Sequence, residues 1–225
     1  MDKSKRQARQ DRKQTQKRKG QMRTTGIIAV AAVFVASLLI FASQVRRPAV
    51  ERSYASADGN LLGDPDAPIH VVEYADFQCT HCYTSFDETD GALIDNYVES
   101  GEVLFDYRPV DFLGPSSLLA AEAAYCVADQ DLFWQYHDVV FTNFASGYTE
   151  AQLIDFASTL DLDLDTFAGC LQSGEKASVV EQNLEAAASD GVQGTPSYVV
   201  NGVLYGALPY ADLQEIISGL LSDGS

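Results

Sequence analysis

Cys79 and Cys82 lie three positions apart, with His81 between them, in the stretch YADFQCTHCYTSF (residues 74–86). Such a pair serves as a redox couple, as half of a zinc site, as a haem attachment point, or as two buried thiols. Covalent haem attachment needs C-x-x-C-H, and here Tyr83 follows Cys82. A structural zinc site needs four ligands. Cys79, Cys82 and a crowded His81 supply three at most, and Cys126 and Cys170 stand singly, without a second C-x-x-C. No metal is therefore expected.

The redox reading has positive physics behind it. Residues i and i+3 at a helix start share one face, with Cα atoms near the ~5.5 Å that a disulfide needs. Cys79 would sit at the helix N-terminus, where unpaired N–H groups and the macrodipole favour an anion. Its pKa should then fall below the free value near ~8.5, and the thiolate is the reactive species. His81 adds a group able to become cationic beside that sulfur, and Cys82, one turn further in, should be shielded. A static disulfide or a pair of inert thiols is the competing reading.

The elements that must hold this pair follow from periodicity. After Pro68 a Val- and Ile-rich run predicts a strand over 69–75. Tyr83, Phe86, Leu93, Ile94 and Tyr97 recur at helical spacing, so Cys79–Ser100 is a helix, faltering near Asp90-Gly91. EVLFDYRPV alternates, giving a second strand over 102–108. Residues 114–190 read as helical throughout, with a helix start at Thr149-Glu150 and a stop at Gly191. TPSYVVNGVLYGA is a hairpin turning at Asn201-Gly202, and PYADLQEIISGLL is a closing helix. The order strand-helix-strand, helical block, strand-strand-helix gives an α/β fold, a sheet layered by helices. The helical block is an insertion, because too few strands lie on either side of it to form a stable sheet alone.

Charge divides the chain. Residues 1–23 hold ten of the 15 Lys and Arg, and Arg46, Arg47 and Arg52 follow. From residue 53 onward Arg108 and Lys176 face 29 Asp and Glu, a formal charge of 2 − 29 = −27. Between these regions GIIAVAAVFVASLLIFAS (26–43) has no charged residue. As a helix it would span about 27 Å, close to the bilayer core. It ends Ile40-Phe41-Ala42-Ser43, a poor cleavage site, so it reads as a retained anchor rather than a signal peptide. The positive-inside bias places a basic tail (1–24) in the cytoplasm, a transmembrane anchor in the lipid bilayer (25–43), then a linker (44–60) and an extracytoplasmic body. Disulfides persist outside the cytoplasm, and four cysteines is an even number. The acidity argues against nucleic-acid binding by the body and suits a salt-rich medium, where screening tolerates such a surface.

GDPDAPIHVVEYADFQCTHC (63–82), with GTPSYVV beginning 112 residues after Cys82, resembles the DsbA-type thiol-disulfide oxidoreductases, in particular their membrane-anchored, BdbD-like group from Gram-positive and related bacteria. The resemblance covers about residues 60–222. It implies a thioredoxin fold split into 61–113 and 191–225 around the helical insertion 114–190. It implies Cys79 as the attacked sulfur, Cys82 as its resolving partner, and Thr195-Pro196 as a cis-proline loop whose bend brings the Thr195 backbone beside Cys79. Glu73 matches an acid that assists proton transfer under the active site, against the alternative of a solvent-facing strand residue. Cys126 and Cys170 are expected to form a structural disulfide in the insertion, the alternative being two free thiols. Closing ~44 residues would contribute roughly 3–4 kcal/mol. Many relatives carry Pro after the first cysteine where this chain has Thr80, so the Thr80-His81 dipeptide leaves the redox poise open.

The implied activity is introduction of disulfides into reduced exported proteins, with reoxidation by a membrane partner of the DsbB or VKOR type and no cofactor. A reductase or isomerase on the same fold, and a binding module with a structural C-x-x-C, are the rival readings. His70 and His137 are not expected to be ligands, His137 instead satisfying a hydrogen bond in an aromatic core helix that includes Trp134.

Overall fold

The computed structural model of the chain describes Arg52 and residues 54–223. The expected tail (1–24), the anchor (25–43) and the linker up to residue 53, Arg52 apart, lie outside the described residues. Among the described residues no helix is long and apolar enough to cross a membrane.

The fold is one mixed six-stranded sheet layered by helices, with a block of helices inserted between its fourth and fifth strands, as the sequence leads one to expect. Its sheet is centred on β3 (Ile69–Ala75), which pairs in parallel with β4 (Val103–Pro109) and antiparallel with β5 (Ser197–Val200). β1 (Ala57–Asp58) and β2 (Leu61–Leu62) extend it beyond β4, and β6 (Val203–Gly206) lies outside β5. Helices cover both faces of β3, which is why six of its seven residues are buried and it reads as an apolar run rather than an alternation. Val71 and Ala75 join the main core, whereas Val72 and Tyr74 join a smaller cluster with Val110, Ala187 and Val199 on the opposite face.

The expected linker ends earlier than residue 60. Tyr54 is buried, donates to the Asp138 carboxylate at 2.7 Å and stacks on Trp134. The two-residue strands β1 and β2 turn through Gly59, whose φ of 57° a side chain would resist.

After β3, α1 (Thr80–Ser85) runs into a π turn (Phe86–Asp90), α2 (Gly91–Leu93) and a second π turn (Ile94–Val98). The helix expected to falter at Asp90-Gly91 stays continuous and widens there. A Cβ at Gly91 would meet only the Arg52 guanidinium, the far end of a flexible side chain that can move aside.

Five helices joined by turns separate β4 from β5, so residues 114–190 are not one helical run. They are α3 (Pro115–Ala128), α4 (Phe133–Thr142), α5 (Glu150–Ala157), α6 (Leu164–Ser173) and α7 (Ala177–Ser189). Thr149 caps α5 in a reciprocal box with Gln152, and Gly191 takes φ 82° just past α7. A disulfide between Cys126 and Cys170 joins α3 to α6 with Cα atoms 5.8 Å apart. Trp134 and His137 of α4 are buried among Phe77, Phe105, Tyr107 and Phe141. Trp134 donates its Nε1–H to the Leu61 carbonyl at 3.1 Å, and His137 Nδ1 meets Asp138 at 3.1 Å. The hairpin from β5 to β6 turns through Asn201 (φ 47°) and Gly202 (φ 80°), and α8 (Tyr210–Asp223) closes the fold with Leu213 and Ile217 inside.

Candidate active site

The turn out of β3 is fixed by Asp76. Its buried carboxylate accepts the backbone N–H groups of Gln78 and Leu113, each at 2.9 Å, and its carbonyl accepts the N–H of Cys79. Cys79 thereby becomes the N-cap of α1, with extended backbone (φ −77°, ψ 122°) ahead of the first helical residue, Thr80. Thr80 and His81 are exposed, Cys79 is half-buried and Cys82 is buried.

The pair is present as two thiols, in chemically unequal places. The Cys79 thiol is held down to about 5, first by a hydrogen bond from Cys82, then by one from the Thr195 side chain and by the backbone N–H groups of Cys82 and His81; partial burial opposes them. Burial pushes the Cys82 thiol far up, and its bond to Cys79 and the nearby Glu73 charge add to that. Its sulfur also accepts the Asp76 N–H at 3.4 Å.

The Thr195–Pro196 peptide is cis, and the Cys79 Sγ lies 3.3 Å from the Thr195 carbonyl oxygen. The two segments border an open groove of about 360 Å³ lined by His81, Thr84, Ser85, Thr195, Pro196 and Leu208. Cys79, Cys82, His81, Thr195 and Pro196 are thus brought together. Cys126 and Cys170 are not part of this site.

Glu73 is fully buried and does not face solvent. Register places it between Tyr107 of β4 and Tyr198 of β5, on one face of the sheet. Burial, and then the neighbouring Asp90, hold its carboxyl well above the usual range. Sequence reasoning did not pick out Asp90, Tyr198 or Ser85. The first and last had a signal: Cys82, Ser85, Phe86, Thr89, Asp90 and Leu93 form one helical stripe, all of it buried.

Among the described residues the cluster nearest to a metal-ligand set is Asp129, Cys170 and Glu175. The Cys170 sulfur there is already bonded to Cys126.

The family profile described as Thioredoxin matches residues 56–218. The Na(+)/H(+) antiporter NhaA 3 of Salinispora tropica is 36% identical over 143 residues, which are 64% of this chain and only 22% of that protein. The disulfide bond formation protein D of Bacillus subtilis is 30% identical over 165 residues, covering 70% of this chain and 74% of that protein. The crystal structure of oxidised BdbD from Bacillus subtilis matches with a TM-score of 0.68 and 28% identity, over 73% of this chain and 94% of that one. With this fold, a C-x-x-C at the start of α1 and those likenesses, the chain belongs to the thioredoxin family, among the relatives of the disulfide bond formation proteins.

Proposed function

We propose that the chain is a thiol-disulfide oxidoreductase that introduces disulfides into reduced exported proteins. Anchored by residues 25–43, with the basic tail 1–24 in the cytoplasm, it would work outside the cell membrane. In the working form Cys79 and Cys82 share a disulfide. A client thiolate attacks the Cys79 sulfur, the Cys79–Cys82 bond breaks, and Cys82 leaves as a thiolate that takes up a proton. A second client thiolate then attacks the client sulfur of the mixed disulfide. Cys79 leaves as a thiolate, the client's two sulfurs are joined, and two electrons have passed to the pair.

One feature carries this direction of flow: Cys79 caps α1, half-buried beside the cis Thr195–Pro196 peptide, where its surroundings hold the thiol down to about 5. A thiolate that is stable in the reduced protein is a good leaving group, and its disulfide is strongly oxidising. The groove beside Cys79, lined by His81, Thr195 and Pro196, supports client docking at that sulfur, and the exposed Thr80 follows Cys79 in the chain. Glu73 acts as the acid and base for Cys82. The Cys126–Cys170 disulfide has a structural role. A membrane protein of the DsbB or VKOR type takes the electrons on.

Equilibrating the full chain, in detergent, with glutathione buffers tests the reading. The expected potential lies well above thioredoxin's, about −270 mV, toward that of the strongest oxidants of this fold, about −120 mV. A potential near the thioredoxin value, with Cys79 titrating near ~8.5, would overturn it in favour of a reductase. Full function after Cys79→Ser would point instead to a binding module.

A further inference from the structure

Under the redox pair lie two buried carboxyl groups, of which the scheme above uses one. Glu73 comes from β3 and is 0% exposed; Asp90 comes from the end of the first π turn and is 2% exposed. Both Glu73 oxygens and Asp90 Oδ2 have no N–H or O–H donor among the described residues. Tyr198 stands opposite Glu73 in the β3–β5 register and bonds Asp90, so one tyrosine brings the two carboxyls together, and each acts on the other. Ionised carboxylates only accept, so in a dry site this contact needs a proton on one of them.

The second oxygen of Asp90 leads outward. Tyr198 donates its hydroxyl proton to Asp90 Oδ1 at 2.7 Å. That proton is committed, so the short contact between Tyr198 Oη and Ser85 Oγ is a bond donated by Ser85. Ser85, 5% exposed, lines the groove beside Pro196. At the inner end Glu73 is close enough for its charge to act on Cys82.

We propose that Glu73 and Asp90 share one proton, and that Tyr198 and Ser85 connect this pair to the substrate groove, forming a relay that protonates and deprotonates Cys82. This deepens the reading above and rests on it. When a client thiolate expels Cys82, the Glu73 proton passes to the Cys82 sulfur. Two adjacent buried carboxylates remain, which is unfavourable. One proton then enters from groove water to Ser85, the Ser85 proton moves to Tyr198, and the Tyr198 proton moves to Asp90. The net change is one proton taken from the groove and one S–H formed. Cys82 attack on a mixed disulfide runs the same path outward.

The groups around the dyad decide which member holds the proton. Burial raises both carboxyls; at Asp90 it is opposed by Tyr198, then His137, Glu73 and Arg52, whereas at Glu73 the Asp90 charge adds to it. Glu73 is therefore the acid and Asp90 the positioning base. Tyr107 and Tyr198 are pushed well above their ordinary range, first by burial, and stay neutral. Asp76, on the turn above, also raises Tyr107, after burial and the charges of Glu73, Cys82 and Asp90.

The test starts from the full chain in detergent carrying a glutathione mixed disulfide on Cys79. Glutathione release by Cys82 is followed against pH. In the unaltered protein the rate should rise with pH through an inflection above the ordinary carboxylate range. Glu73→Gln should slow release by roughly 100-fold and remove that inflection. Asp90→Asn removes the charge that raises Glu73, so the inflection should move down by about one unit or more. Tyr198→Phe removes the hydroxyl that donates to Asp90 and whose proximity also lowers Glu73, so the inflection should move up. Opposite shifts are not the signature of a merely structural role.

An unaltered profile in Glu73→Gln would remove the acid-base role of Glu73 altogether. Loss of the inflection there, with Asp90→Asn or Tyr198→Phe leaving it in place, would remove the relay and leave Glu73 standing. If Asp90→Asn does not fold, carboxyl carbon NMR of the unaltered protein decides. Two linked steps in the Glu73 signal, mirrored by Asp90, support the shared proton; two independent, ordinary titrations overturn it.

Discussion

The Cys79 sulfur and the Thr195 carbonyl oxygen are 3.3 Å apart, although 116 positions separate them in the chain. The thiol donates to that carbonyl. When Cys79 loses its proton the carbonyl loses its partner and becomes free to accept an N–H from an extended client. Ionisation of the sulfur and exposure of a backbone docking group are therefore one event.

Thiolate absorbance of the reduced full chain should show a Cys79 midpoint at about 5. Cys82→Ala removes the leading cause of that depression, so the midpoint should rise toward the free value near ~8.5. The sign for stability follows. A folded pKa below the unfolded one makes the contribution to the reduced form full above ~8.5 and lost as pH falls through about 5. Denaturation midpoints of the reduced chain that fail to drop across this window would contradict the thiolate's stabilisation.

The Cys126–Cys170 disulfide spans a sequence separation of 44. Replacing both residues with Ala should lower unfolding free energy by roughly 3–4 kcal/mol. Neither cysteine lines the groove or is among the groups that hold the Cys79 thiol down, so the Cys79 titration should stay where it is. Urea unfolding followed by tryptophan fluorescence, with thiolate absorbance in parallel, separates the two effects. A shifted titration would assign this bond a redox role.

Trp134 is completely buried, with its Nε1–H on the Leu61 carbonyl. Trp134→Phe should cost about 1–3 kcal/mol for the orphaned acceptor, with a further loss from the smaller ring. Client oxidation per folded molecule should be unchanged. A rate loss without a stability loss would make Trp134 a docking surface instead of a core residue.

Arg52, Arg108 and Lys176 each pair with an aspartate: Asp95 at 3.5 Å, Asp106 at 2.6 Å and Asp129 at 2.6 Å. No further Lys or Arg occurs after residue 53 to offset its 29 acidic residues. Raising salt from 0.01 to 1 M shortens the Debye length from about 30 to about 3 Å. The Tm should rise over that range. A flat or falling Tm would show that the acidic surface is not self-repelling, and the salt-rich setting would lose its support.

The legible parts were those set by local spacing. The Cys79/Cys82 pair, β3, the Asn201-Gly202 turn and the Thr149 cap each depend on residues a few positions apart. The burial of Glu73 was not legible, because β3 is apolar on both faces and offers no alternation to assign a side. Asp90 sat on the Cys82 stripe, yet Asp-Gly is also a helix-stop signal, and the π turn that keeps the helix intact leaves no composition mark. Tyr198 meets Glu73 only through the β3–β5 register, a pairing across 125 positions. The β1–β2 hairpin was missed because two-residue strands are shorter than any period that could reveal them.

The unequal burial of the two sulfurs also makes the pair distinguishable to reagents. A bulky maleimide offered to the reduced protein below neutral pH meets one ionised, accessible sulfur and one neutral sulfur walled in by packing. Alkylation should stop at a single adduct on Cys79 until the fold is opened, so the number of labels per chain reports folding and redox state together.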